Sequence, residues 1–300
     1  MSNPFDLADR SAYAAWRERK LDTAPRRIED IIVALDDPRR LAPAERAKLL
    51  ERCATANMAI YTSNTVGDAD KEIPRQLGRQ LGLNRLDSHW LTDDDAISPI
   101  SVRGAEERSE RREFIPYTDK PIRWHTDGYY NRPERTVRGL ILHCVQSAAG
   151  GGENQLLDHE LAYILLRDEN PDHIRALSRD DAMVIPARMD DTGVARAAQP
   201  GPVFSVDQAG FLHMRYTART VSIEWRNDEA TRAAVAALAR ILAAPTAWTL
   251  HGRLEPGMGL VCNNVLHDRS GFTETPERRR LLYRARYHER VAETTVTAAA

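Results

Sequence analysis

The sequence predicts an α+β fold with a mostly β core and helical cover, and three observations carry that reading. From about residue 95, short apolar runs (VRGLILHCV, AMVIP, GPVFSV, AWTLHG, GLVCNNVL) are bounded by Gly, Pro, Asp and Asn, the texture of an antiparallel sandwich or barrel. Two helical patterns with N-capping residues interrupt these runs. No linker-like or repeated stretch divides the chain of 300 residues, so a single domain is expected over 1–300. Residues 1–95 would be its mainly helical cover and 96–290 its core.

Taken in order, AERAKLLERCATANM after Pro43 sets Leu50, Cys53 or Ala54, and Asn57 or Met58 at helical spacing. Ile73, Leu77 and Leu81 do the same for a shorter helix. Asp158 reads as the N-cap of HELAYILLRD, with Leu161, Ile164 and Leu165 on one face. Asp228 precedes EATRAAVAALARILAA, where Val235, Leu238, Ile241 and Leu242 form the apolar stripe and Pro245 stops it.

Composition narrows the class. Hydrophobic content of 42% and charged content of 29% are those of a globular protein, and a formal net charge of −2 gives no reason to expect nucleic acid. The arginine run Arg103–Arg112 is interleaved with Glu106, Glu107 and Glu110, which suits a solvated face. Cys53, Cys144 and Cys262 are odd in number and lack CxxC spacing, so a reducing, cytoplasmic setting is expected. The N-terminus has no apolar run after a basic start, and nothing approaches the roughly 20 apolar residues of a membrane span. A small-molecule partner and a homo-oligomer are both compatible with this composition.

The chemistry concentrates at WHTDGYY, residues 124–130. On a strand, alternate side chains share a face, so His125 and Asp127 point together. One imidazole and one carboxylate need a third ligand, and two histidines with one carboxylate make the facial set of non-haem Fe(II) oxygenases. His267, in GLVCNNVLHDRSGF after a strand-like run, is the candidate. An HxD pair also arises by chance, and His267 alone would carry no more weight.

The segment RRRLLYRARY alternates: Leu281, Tyr283 and Ala285 on one face, Arg280, Leu282, Arg284 and Arg286 on the other. A buried arginine without an anion is costly, so Arg280 and Arg284 either meet a carboxylate or lie on an exposed edge strand. Tyr129 shares the parity of His125 and Asp127, and an aromatic wall there would suit an apolar or quaternary ammonium group. His143 and Cys144 read as core residues.

The order WHTD, GGGENQLLDHELAYILL, NNVLHDRSGF, RRRLLYRARY resembles the TauD/TfdA family of Fe(II)/2-oxoglutarate dioxygenases, near the γ-butyrobetaine hydroxylase and clavaminate synthase groups, over about residues 95–290. The resemblance implies a double-stranded β-helix (jelly roll) with flanking helices. It implies His125, Asp127 and His267 as Fe(II) ligands and Arg280 as the grip on the far carboxylate of 2-oxoglutarate. It implies Arg284 at the substrate's anionic group, and more loosely His213 and Tyr216 in FLHMRYTAR as pocket residues. The family's GGDT element reads GGEN here, so Asn154 stands where a threonine hydroxyl would meet the co-substrate. Asp127, rather than Gly or Ala, argues against a halogenase. The expected activity is hydroxylation of a C–H bond of a small carboxylated or zwitterionic molecule, with O2 consumed and succinate and CO2 released. A catalytically silent binding protein on the same scaffold is the alternative, and a nucleic-acid demethylase would want a basic stripe that the sequence lacks.

Overall fold

Apolar runs too short for helices must satisfy their backbone polar groups by pairing, and six of this chain's strands do so in one sheet buried on both faces. The computed structural model describes residues 3–88, 94–102, 114–190 and 193–292. The Arg103–Arg112 run and His89 lie outside the described residues. The chain divides into two compact units: Met1–Ala24, Arg123–Thr136 and Leu157–Thr249 form one, and Pro25–Ile122, Val137–Leu156 and Leu250–Ala300 form the other.

The second unit is built on a six-stranded sheet. Its order is Ile32–Ala34, Met58–Thr62, Gly259–Cys262, Gly139–Gln146, Leu281–Tyr287 and Ile97–Ile100. The first pair is parallel and the other pairings are antiparallel. Both faces are apolar. Leu77, Leu81, Ile141, Val261, Tyr283 and Ala285 pack on one side, while Ile60, Leu140, Cys144, Leu260 and Leu282 pack on the other. The predicted alternation of Leu281–Arg286 is therefore observed, but in an interior strand; the exposed-edge alternative is excluded. A smaller set of strands includes Leu250–Gly252 and Leu266–Arg269 on either side of Asn154–Leu157.

The helices Pro43–Ala56 and Glu72–Gln80 in this unit bury Leu49, Leu50 and Cys53, and Ile73 and Leu77. The first third is less purely helical than its sequence suggests, because Ile32–Ala34 and Met58–Thr62 enter the large sheet. Buried charge in the sheet is paired: Arg286 Nη2 donates to Asp87 Oδ2 at 2.6 Å, with both side chains almost fully buried.

The first unit gathers the helices Arg10–Thr23, His159–Glu169, Pro171–Leu177 and Glu229–Ala243. Both predicted caps are present. Asp158 accepts from the Glu160 backbone N–H, and Asp228 from that of Thr231. The buried stripe of the last helix is Thr231, Ala234, Ala237, Leu238 and Leu242, with Val235 and Ile241 at its margins. Short antiparallel strands complete this unit, among them Met183–Ile185 between Gln199–Gly201 and Glu224–Trp225, and the pair Phe204–Val206 with Leu212–Met214. No helix of the described residues is long and apolar enough to cross a membrane.

Candidate functional site

In the first unit, the strand Ile122–His125 ends at His125, and Asp127 opens a turn in which Gly128 has φ +69°. Asp127 is thus presented by a turn, and the strand-parity argument that aimed Tyr129 with His125 does not hold. The intervening Thr126 fixes the motif instead. Its backbone N–H donates to the Tyr216 carbonyl, and its Oγ1 accepts from the Tyr216 N–H, both at 3.0 Å. The His125 ring Nδ1 lies 2.9 Å from the Arg123 carbonyl. A carbonyl only accepts, so Nδ1 carries the proton and Nε2 is the lone-pair nitrogen, the tautomer a metal ligand needs.

His267, buried on the strand Leu266–Arg269 of the second unit, repeats this device. Its Nδ1 lies 3.0 Å from the Val265 carbonyl, again two residues upstream. His125, Asp127 and His267 are of the residue types that make a 2-His-1-carboxylate Fe(II) set, and the Asp127 side chain is buried. The residues fit that metal by donor chemistry. Among the described residues no group of three or more His, Cys, Asp or Glu side chains is gathered as a metal site, so this assignment rests on motif and ring orientation.

Two adjoining cavities lie within the second unit. One is lined by Ile60, Leu142, Asn154, Leu156, Leu260 and His267 among others. The other is lined by Gly151, Gly152, Asn154, Arg253, Arg280 and Leu282 among others. Asn154 borders both. Arg280 is 7% exposed, and its Nη1 is buried without a hydrogen-bond partner. Burial pushes its pKa down to about 10, the nearby Arg253 charge adding to the effect. Its planar fork suits a carboxylate, and the unpartnered Nη1 is free to meet one.

The GGEN loop is tied to the segment Asp268–Ser270 that follows His267. Ser270 Oγ accepts from the Gly152 and Glu153 backbone N–H groups at 3.0 Å, and Asn154 Nδ2 donates to the Asp268 carbonyl at 2.6 Å. Gly151 is required here: with φ +73°, a Cβ would come within 2.3 Å of the Gly271 carbonyl oxygen. Sequence reasoning missed Arg269 and Phe272. The Arg269 and Arg280 guanidinium carbons lie 4.7 and 5.2 Å from the centre of the Phe272 ring. Arg269 also donates to the Thr118 and Lys120 carbonyls, and burial lowers its pKa to about 9. The only sequence signal for it was its place two residues after His267.

The remaining candidates divide between the units. Arg284 is buried in the strand Leu281–Tyr287, opposite Leu142 and Ser98. Burial raises the pKa of the Tyr129 hydroxyl, and the Tyr129 carbonyl accepts from Arg215 Nε at 2.8 Å. Tyr216 is buried against Trp225, and burial pushes its hydroxyl up to about 12. His213 is half-buried opposite Ser205 in a two-stranded pair. His143 is a core residue, its Nδ1 2.9 Å from the Tyr61 hydroxyl and its pKa pushed down to about 4 by burial.

This fold and donor chemistry are those of a family. The model of the taurine catabolism dioxygenase TauD, TfdA family matches residues 34–286, and the chain belongs to that family. It is 32% identical over 171 residues to a uridine-5'-phosphate dioxygenase of an Amycolatopsis species, covering 55% of this chain and 60% of that protein. A Streptomyces protein of the same name is 29% identical over 199 residues, covering 64% and 69%. The chain thus spans less than two thirds of the length of the Amycolatopsis relative. Among solved structures, an asparagine oxygenase in complex with Fe(II), 3-hydroxyasparagine and succinate aligns with a TM-score of 0.58 at 14% identity, over 95% of this chain and 85% of that one. The non-heme iron oxygenase OrfP in complex with Fe and alpha-ketoglutaric acid aligns at 0.59 and 15%, over 83% and 81%. At these identities the likeness is one of fold, and the expected α+β class with a β-rich core is observed.

Proposed function

We propose that the chain is an Fe(II)- and 2-oxoglutarate-dependent dioxygenase that hydroxylates a C–H bond of a small anionic molecule, carboxylated or zwitterionic, releasing succinate and CO2. The observation that carries this is Arg280, a buried guanidinium with an unpartnered Nη1 on a cavity whose neighbour is lined by His267. His125, Asp127 and His267 hold the metal, and Arg280 binds the far carboxylate of the co-acid. The metal, when bound, supplies oxygen activation coupled to decarboxylation of the co-acid.

The chain's own part is orientation and exclusion of water. The two Nδ1–carbonyl hydrogen bonds fix the ring tautomers, and Leu142, Leu156, Leu254 and Leu260 keep the first cavity apolar. Arg284, Tyr129, Tyr216 and His213 are assigned to the substrate, with Arg284 meeting its anionic group. We take the chain to act as one dioxygenase domain of the jelly-roll type in the cytoplasm, where its three free cysteines would stay reduced, as a monomer or homo-oligomer.

A second reading of the substrate, a pyrimidine nucleoside 5'-phosphate, is favoured by the two uridine-5'-phosphate dioxygenases among its relatives. Both readings share an anion. Succinate release measured with Fe(II), 2-oxoglutarate and a panel of amino acids, betaines and nucleoside 5'-phosphates separates them. The expected outcome is succinate above the substrate-free level for one class, lost in His267→Ala. Equal background with every compound, in wild type and His267→Ala alike, would leave a silent binding protein.

A further inference from the structure

We propose that Arg253 is the second donor to the far carboxylate of the co-acid, in the place where family members use a threonine hydroxyl. The inference rests on reading the Arg280 cavity as the co-acid site, and its test keeps the two claims apart.

The residue that aligns with the family threonine is already engaged. Asn154 Nδ2 donates to the Asp268 carbonyl at 2.6 Å, which ties the GGEN loop to the strand bearing His267. Asn154 therefore serves as scaffold, and a carboxylate needs another donor to satisfy the lone pairs that one guanidinium leaves over. The register supplies one. Gly252 pairs with Asn154, so the next residue, Arg253, emerges at the mouth of the same loop. Arg253 lines the cavity together with Arg280, Gly151 and Gly152.

The Arg253 side chain is held in place by two clamps. Its Nε pairs with Glu255 Oε1 at 3.0 Å, and its Nη2 donates to the Ala148 carbonyl at 2.5 Å. Glu255 is itself fixed, accepting from Ser147 Oγ at 2.7 Å. These contacts engage Nε and Nη2, and among the described residues Nη1 has no hydrogen-bond partner. Glu255 pairs with Arg253, whereas among the described residues no carboxylate is hydrogen-bonded to the Arg280 guanidinium; Glu274 accepts only from the Arg280 backbone N–H, at 2.8 Å. One carboxylate set between the two forks would give the unpartnered Arg280 Nη1 an acceptor.

Binding of 2-oxoglutarate and of 2-oxovalerate, which has the same five carbons without the far carboxylate, is measured by calorimetry on Mn(II)-loaded protein for wild type, Arg253→Met, Arg253→Lys and Arg280→Met. The expected result is a loss of about tenfold or more for 2-oxoglutarate in Arg253→Met and of less than about twofold for 2-oxovalerate, with partial recovery in Arg253→Lys. A merely structural role would weaken both acids alike and would overturn the proposal. So would an Arg253→Met affinity within about twofold of wild type while Arg280→Met loses binding, and that outcome would leave the co-acid site standing. Failure of wild type to distinguish the two acids would instead reject the co-acid site itself.

Discussion

Arg280→Met is expected to weaken 2-oxoglutarate binding by about a hundredfold or more, the equivalent of about 3 kcal/mol. The reason lies in the cost already present in the empty cavity. The guanidinium is buried, its pKa is pushed down to about 10, and Nη1 has no acceptor. A carboxylate entering the cavity recovers charge-assisted hydrogen bonds that the free protein lacks, and methionine removes them while keeping much of the side-chain volume. The thermal midpoint of the ligand-free variant should not fall, because removing an unpaired buried charge relieves desolvation. Calorimetric titration measures the first effect and thermal unfolding the second. A variant that binds 2-oxoglutarate like wild type would remove Arg280 from the site.

Asp87→Ala is expected to destabilise the protein by about 3–5 kcal/mol, since it removes the carboxylate that pairs with the buried Arg286 cation. The two side chains are 0% and 2% exposed, and their contact is a 2.6 Å hydrogen-bonded ion pair. The backbone joins them as well, with the Asp87 N–H donating to the Arg286 carbonyl at 2.7 Å. Replacing both partners, as Asp87→Leu with Arg286→Met, should recover most of the loss, because the apolar pair carries no desolvation cost. Urea midpoints at constant slope report both values. A loss below about 1 kcal/mol for Asp87→Ala would mean that water reaches Arg286.

Much of this fold can be read from single residues. Asp158 and Asp228 mark helix starts because a short carboxylate ahead of an apolar-periodic run has one favourable use, and both cap as expected. The alternation from Leu281 to Arg286 gives the strand and its two faces. It does not say that both faces are buried, because that depends on strands brought alongside from far along the chain. The strands Ile32–Ala34 and Met58–Thr62 escaped notice for a similar reason: three and five residues give too short a period, and the antiparallel partner of Met58–Thr62, Gly259–Cys262, lies some two hundred residues on.

The candidate site was legible where chemistry depends on residue type and obscure where it depends on register. The HxD pair, His267 and Arg280 stand out in the sequence by residue type, as candidates for a metal and a carboxylate. The turn that presents Asp127 is signalled only by Gly128, and the segment is not the continuous strand that the parity argument for Tyr129 assumes. Arg253 and Arg269 look like ordinary surface arginines in the sequence. Only the pairing of Gly252 with Asn154, and the ring of Phe272 near Arg269 and Arg280, bring them to the cavity.

The most direct test of the central claim is an anaerobic titration of purified protein with Fe(II) and then 2-oxoglutarate, followed by visible absorption. The account predicts a weak visible band that requires both metal and co-acid, saturates with 2-oxoglutarate, and is absent in His267→Ala and Arg280→Met. Iron binding without a band at saturating 2-oxoglutarate would contradict the co-acid assignment, and failure to bind iron would contradict the assignment of His125, Asp127 and His267.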